Sequence, residues 1–136
     1  MTAGKSVRRS PEAPYGHNWR VSRFQARATL TRAKARLDPL ALYERPVRID
    51  RVRILCAGWL FRLPWFRRFD GYAMWNLILL RSPELGKDDD LICHELCHVW
   101  QMQHRPVRMP LSYLRFGYAQ NPYEEEARRA AARVSR

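Results

Sequence analysis

The chain has 136 residues, of which 46% are hydrophobic, and it carries a formal net charge of +12. This length and apolar content predict a single domain with a real hydrophobic core and exclude a largely disordered chain. No apolar run approaches the roughly 18 residues of a membrane-spanning helix, and no secretory signal is visible. The three cysteines lack a disulfide-framework spacing, so we expect a reducing compartment, by default the cytoplasm.

The basic charge is uneven along the chain. Residues 1–50 hold 11 Lys or Arg against 4 Asp or Glu, a net +7, and residues 51–136 hold 14 against 9, a net +5. Residues 1–18 mix Gly, Ser and Pro with basic residues and are predicted to be a disordered tail. Residues 19–45 are predicted to form a basic helical arm with a weak amphipathic pattern. Nucleic acid or an anionic surface would suit this arm as a partner, and the alternative is a solvated basic surface.

Two stretches in the middle of the chain are predicted to be strands. Residues 47–55 show the two-residue period of a strand, although each of its faces carries both apolar and charged side chains. Residues 72–80 are mostly apolar and lie between the turn signals Asp70-Gly71 and Ser82-Pro83. We expect the second strand, which directly precedes the next helix, to form the rim of that helix's cleft, where an extended peptide can add to it.

Between these two predicted strands, residues 57–69 alternate aromatic side chains with arginines. Aromatic rings among basic residues can stack on the bases of nucleic acid. The favoured interpretation is that these aromatic residues pack in the core under a small sheet. The residues concerned are Trp59, Phe61, Trp65, Phe66 and Phe69.

The most informative stretch is His94-Glu95-Leu96-Cys97-His98, which fits the H-E-x-x-H pattern of helix-borne zinc sites. Residues i and i+4 lie about 40° apart around a helix, so both imidazoles can reach one metal ion. Glu95 projects about 60° beyond His98, where its carboxylate can take a proton from a zinc-activated water. The alternative is an ordinary helix that happens to carry two structural histidines.

The motif helix has clear limits in the sequence. Asp88, Asp89 and Asp90 are suited to its N-terminus, and Pro106 should end it near Arg105. Two cysteines flank the ligand face, at i and i+4, and could be extra metal ligands or a redox pair. Because His94 and His98 already occupy the positions that converge on the metal, we favour the interpretation that both cysteines are small, partly buried thiols. These are Cys93 and Cys97.

A short helix over residues 107–117 and a last helix opened by Asn121 and Pro122 follow the motif. Three residues compete to be the third metal ligand: Glu124, Glu126 and His104. Glu124 lies about 60° from Ala127 on the apolar stripe of the last helix, so it is best placed to face inward. Its alternative role is the glutamate of a capping box with Asn121. If the motif helix continues, His104 lies about 200° round from His98 and faces away.

The sequence resembles the gluzincins, zinc peptidases whose third ligand is a Glu on a helix downstream of H-E-x-x-H. The resemblance covers residues 50–134 and is strongest to small bacterial members with H-E-L-x-H-V-x-Q followed by N-P-x-E-x-E-A. It implies that His94 and His98 are zinc ligands, Glu95 the catalytic base and Glu124 the third ligand. One departure is that larger gluzincins support a zinc-bound His with an Asp four residues after the ligand Glu, and here that residue is Arg128.

We therefore expect an α+β fold: a small zincin-like domain with a short twisted sheet beside the motif helix and the glutamate helix. The domain should span residues 19–136, with a metal-binding core at 46–136. We expect residues 1–45 to be dispensable for metal binding and to serve only partner recruitment.

The expected function is zinc-dependent hydrolysis of a peptide or protein substrate, with Zn²⁺ as cofactor and Glu95 as general base. By their chemistry, Tyr118 and Tyr113 are candidates to stabilise the oxyanion. The alternative is a non-catalytic basic module on a zincin fold that binds nucleic acid or acidic partners. If the protein is such a phosphate-binding module and not a peptidase, its affinity for nucleic acid should fall steeply as the salt concentration rises.

Overall fold

The computed structural model of the protein describes residues 22–132, so the predicted disordered tail at residues 1–18 lies outside the described residues. The described part is α+β, as predicted, with four α-helices and one three-stranded mixed sheet. No helix in this part is long and apolar enough to cross a membrane. The elements are α1 Arg23–Leu37, β1 Arg53–Cys56, β2 Gly71–Met74, β3 Leu77–Leu80, α2 Asp89–His104, α3 Arg108–Phe116 and α4 Pro122–Ala132.

The sheet differs from the predicted pair of strands. Residues 72–80 do not form one strand: β2 and β3 are an antiparallel hairpin that turns at Trp75 and Asn76. The predicted strand over residues 47–55 begins only at Arg53, because its earlier alternation reflects the burial of Val47 and Val52 in irregular chain. The strand order is β1-β3-β2, with β3 parallel to β1. The strand that precedes α2 is therefore central, and β2 forms the edge that packs on α2.

Helix α1 belongs to the core, which corrects the expectation that residues 1–45 serve only to recruit a partner. Leu30, Ala33 and Leu37 are buried in the same cluster as the apolar face of α2. The buried hydroxyl of Thr29 donates to the carbonyl of Gly86 at 3.0 Å. The amphipathic signal is weak because Phe24, on the opposite face of α1, is 87% exposed. Residues 22–37 are therefore structural, and truncation near Pro46 would remove part of the core.

Helix α2 begins and ends where the sequence predicts. The carboxylate of Asp88 accepts a hydrogen bond from the backbone N–H of Leu91 at 3.0 Å, which caps the helix. The last helical residue is His104, two residues before Pro106. The side of the helix away from the motif histidines is buried, as expected, through Ile92, Leu96 and Val99.

The aromatic stretch at residues 57–69 is divided between core and surface. The prediction of core packing holds for Phe61, which is buried, and is wrong for Trp59 and Trp65, which are exposed. Phe66 and Phe69 are half-buried and line the cleft beside α2. A three-stranded sheet is too small to cover all five rings.

Candidate metal centre

Helices α2 and α4 bring together His94, His98 and Glu124. The Nε2 atom of His94 lies 2.8 Å from Oε1 of Glu124, and Nε2 of His98 lies 3.0 Å from Oε2. The two Nε2 atoms are 3.2 Å apart. Two zinc ligands at 2.0–2.1 Å in a tetrahedron are separated by about 3.3 Å, so one small ion fits between these atoms with little movement. Within residues 22–132 this is the one group of His, Cys, Asp and Glu with such geometry.

The start of α4 aims Glu124 at the histidines. The side chain of Asn121 accepts a hydrogen bond from the N–H of Tyr123 at 2.9 Å and so caps the helix as predicted. Its amide also donates to the hydroxyl of Ser112 at 2.8 Å, which ties α4 to α3. Glu124 itself is buried, and its carboxylate points to His94 and His98. The cap and the candidate ligand are thus two separate side chains.

Both tyrosines singled out in the sequence contact Glu124. The hydroxyl of Tyr113 donates to Oε2 at 3.1 Å, and that of Tyr118 donates to Oε1 at 3.0 Å. Burial raises the pKa of Glu124, but the hydrogen bonds with His94 and His98 outweigh burial and lower the pKa below its usual value. Burial and the nearby Glu124 charge raise the pKa of Tyr118 to about 12, so its hydroxyl remains a donor at neutral pH.

Glu95 lies beside the histidines, buried under the first residue of β2. Burial raises the pKa of its carboxyl group, although the charges of His98 and His94 oppose the shift. A β-carbon added at Gly71 would lie 3.1 Å from Oε1 of Glu95, which is too close without displacement. Glycine at position 71 therefore lets the sheet edge approach this carboxylate.

Gln101 is a site residue that the sequence analysis missed. Its Oε1 lies 2.8 Å from Nδ1 of His98, and its Nε2 donates to the carbonyl of Tyr123 at 2.8 Å and to Glu126 at 3.2 Å. Because the amide nitrogen has two acceptors, Oε1 must face His98 and accept the proton of Nδ1. In the absence of metal, Nε2 of His98 can carry a second proton and donate it to Glu124; a bound metal ion would displace that proton and take the Nε2 lone pair.

Gln101 supplies the support that Arg128 cannot give. The guanidinium of Arg128 lies 5.7 Å from the ring centre of Tyr118 and is not placed to orient a histidine. Gln101 stands three residues after His98 on the same helix face, and it is the final Q of the pattern H-E-L-x-H-V-x-Q. That spacing was the signal available in the sequence.

The competing ligand candidates lie outside the group. The carboxylate of Glu126 accepts hydrogen bonds from the hydroxyl of Tyr43 at 2.6 Å and from the amide of Gln101. It therefore holds Gln101 in place and is not part of the group itself. The ring of His104 stacks on Tyr43 with centroids 5.0 Å apart and faces away, as predicted. Cys93 and Cys97 are buried free thiols whose pKa values burial raises, which agrees with the favoured interpretation.

The candidate metal group opens into a cleft of about 470 Å³. One wall is formed by β2, its turn and the segment from Trp65 to Phe69, and the other by α3. Apart from His94, His98, Glu95 and Glu124, the lining is aromatic or aliphatic, including Tyr72, Met74, Met102, Met109 and Pro110. A small apolar cleft with a few convergent polar groups is typical of a binding site for an organic ligand.

No protein-family model, curated protein or solved structure matches the chain.

Proposed function

We propose that the protein is a gluzincin-like zinc metallopeptidase in which His94, His98 and Glu124 hold the metal ion. The observation that carries the proposal is that Glu124, 30 residues after His94, lies within hydrogen-bonding distance of Nε2 in both motif histidines. Two imidazoles and one carboxylate form a ligand set of catalytic zinc sites, which keep a fourth position open. The donor set, the burial of Glu124 and the tautomer imposed by Gln101 on His98 all fit such an ion.

In the proposed peptide hydrolysis, each side chain around the group has a separate role. When bound, zinc supplies Lewis-acid polarisation and lowers the pKa of a water molecule. Glu95 would take a proton and return it to the leaving amine, and the raised pKa of its carboxyl group would make it a stronger base near neutral pH. The protonated hydroxyls of Tyr113 and Tyr118, which point to the same group, are proposed donors to the developing oxyanion.

The edge strand β2 offers a place for an extended substrate. The carbonyl of Asp70 accepts from the N–H of Arg81 on the β3 side. In an antiparallel strand, the backbone N–H and C=O groups of successive residues point to alternate sides. Those of Tyr72 and Met74 therefore face β3, and those of Gly71 and Ala73 face the unpaired side of β2. A peptide added there would pass the candidate metal group.

The proposed activity can be tested with the full-length protein and an unfolded protein substrate. Cleavage, followed by mass spectrometry of the products, should disappear after removal of metal by a chelator. It should return on addition of about one equivalent of zinc per chain, the stoichiometry of a single three-ligand site. Zinc-loaded protein that leaves peptide bonds intact, or cleavage that survives chelation, would contradict the proposal.

The role of Gln101 gives a second prediction. Gln101→Leu should lower zinc affinity by roughly 10- to 100-fold, because such losses are typical when a hydrogen-bond partner of a metal-bound histidine is removed. Zinc affinity would be measured by competition with a chromophoric chelator. Gln103→Leu is the matched control, since Gln103 is on the same helix but bonds the backbone of Arg48. Equal affinities in the two variants would show that Gln101 does not orient the site.

A second candidate function is a non-catalytic module that binds nucleic acid. Its support is the net charge of +12 and the exposed Trp59 and Trp65 among arginines. This function predicts tight binding of nucleic acid that weakens steeply with salt, whether or not zinc is present.

A further inference from the structure

The segments that form the walls of the cleft also expose large apolar side chains to solvent, some in the cleft and some beside it. Trp65 and Trp75, on the sheet side, are 77% and 57% exposed. On the other side, Val107 directly precedes α3, and Leu111 and Leu114 follow on that helix. The three recur at i, i+4 and i+7, so they form one stripe beside the α3 residues that line the cleft, and Leu114 is 85% exposed. On this helix Ser112 is buried, whereas Leu111 and Leu114 are exposed. We name these five residues the cleft rim; large exposed apolar side chains gathered on the elements around a cleft are typical of an interaction surface.

Trp75 occupies a conformation that disfavours it. Its φ is 50°, at the first position of the two-residue turn between β2 and β3. Such left-handed positions in hairpin turns favour Gly or Asn, and a bulky residue there costs about 1–2 kcal/mol. Because Trp75 is also exposed, its packing does little to offset this cost. A strained and exposed tryptophan suggests that its indole has a role outside the fold.

The two chain segments that carry the cleft rim are strongly basic. Residues 59–76 and 105–120 together contain six arginines and a single acidic residue, Asp70. All six arginines are exposed: Arg62, Arg67, Arg68, Arg105, Arg108 and Arg115. Exposed acidic residues lie elsewhere, at the start of α2 and at Glu125 on α4, and the carboxylates inside the cleft, Glu95 and Glu124, are buried. The cleft rim therefore combines exposed apolar groups with a local excess of positive charge.

We propose that the cleft rim docks on the surface of a lipid bilayer that carries anionic headgroups. Tryptophan is suited to the membrane–water interface, since its ring is apolar and its N–H is polar. Leucines on one face of a helix can enter the acyl boundary while flanking arginines pair with lipid phosphates. Docking in this way brings the mouth of the cleft to the membrane. It does not depend on the protein being a peptidase.

Two other occupants fit the cleft rim less well. A second copy of the chain would bring two basic surfaces together, and like charges across an interface are unfavourable. Single-stranded nucleic acid would use the tryptophans and arginines, but the aliphatic stripe on α3 has no flat face on which bases can stack. The stripe of Val107, Leu111 and Leu114 thus favours a bilayer.

The test is flotation of the full-length protein with vesicles of phosphatidylcholine alone and of phosphatidylcholine with phosphatidylglycerol. We expect binding to the anionic vesicles and little binding to the neutral ones. Leu114→Ser combined with Leu111→Ser should lower the partition coefficient roughly tenfold or more, because apolar area leaves the acyl boundary. Phe24→Ser is the matched control, because Phe24 is 87% exposed on α1, which does not line the cleft.

Charge and the tryptophans give independent readouts in the same assay. Arg108→Glu with Arg115→Glu should weaken binding to anionic vesicles, whereas Arg23→Glu with Arg27→Glu on α1 should weaken it less. Tryptophan emission should shift to the blue on binding, with a smaller shift in Trp75→Asn. Circular dichroism checks that every variant is folded. The proposal is overturned by failure to bind anionic vesicles, by equal losses in Phe24→Ser and the leucine variant, or by preferential binding of single-stranded DNA through the cleft rim.

Discussion

Glu124→Ala should lower zinc affinity by roughly a hundredfold or more. Structural zinc sites bind with about 10–16 kcal/mol in total, so one of four ligands accounts for about 3 kcal/mol, or about two powers of ten. Glu124 contributes both carboxylate oxygens to the group, and neither His94 nor His98 has another acidic ligand within the group. The affinity is measured by chelator competition at constant pH, because protons compete with the metal for imidazole and carboxylate.

The neighbouring residues provide controls for this experiment. Glu125→Ala removes an exposed carboxylate that pairs with Arg129 and should leave zinc binding unchanged. Glu126→Ala should have a smaller effect than Glu124→Ala, because Glu126 acts only through Gln101. His104→Ala should have none, since its ring stacks on Tyr43 away from the group. Loss of zinc in the His104 or Glu126 variant, with retention in Glu124→Ala, would reassign the third ligand.

Glu95→Gln should keep its zinc and lose roughly 10²–10⁴-fold in kcat for peptide hydrolysis, the usual contribution of a general base. Glutamine keeps the shape of the side chain against Gly71 but cannot accept the proton. Zinc content and kcat are measured on the same preparation, so that loss of metal cannot be mistaken for loss of the base. Glu84→Gln, at an exposed position, is the control. Undiminished turnover in Glu95→Gln would exclude Glu95 as the base.

The helices of the site could be predicted because their signals are local. The i, i+4 spacing of His94 and His98, the acidic cap at Asp88 and Pro106 together define α2. Asn121 and Pro122 define the start of α4 in the same way. The angular position of Glu124 relative to Ala127 was enough to favour it over Glu126, although helix periodicity gives no information about which helix it faces.

The remaining features depend on contacts between distant parts of the chain. The hairpin at Trp75 lacks the Gly that would predict a turn, so β2 and β3 resemble one apolar strand in the sequence. The burial of α1 depends on α2, and the exposed Phe24 obscures its periodicity. Gln101 gains its role from Tyr123 and Glu126, which are 22 and 25 residues away. Sequence periodicity does not report such partners.

X-ray absorption at the zinc edge tests the proposed centre most directly. The full-length protein loaded with one equivalent of zinc should show only nitrogen and oxygen ligands at about 2.0–2.1 Å, with the scattering pattern of two imidazoles. Glu124→Ala should lose one of the light-atom ligands or replace it with solvent. A sulfur shell at about 2.3 Å would place the metal on Cys93 or Cys97, and a spectrum with a single imidazole or none would contradict the assignment of His94 and His98.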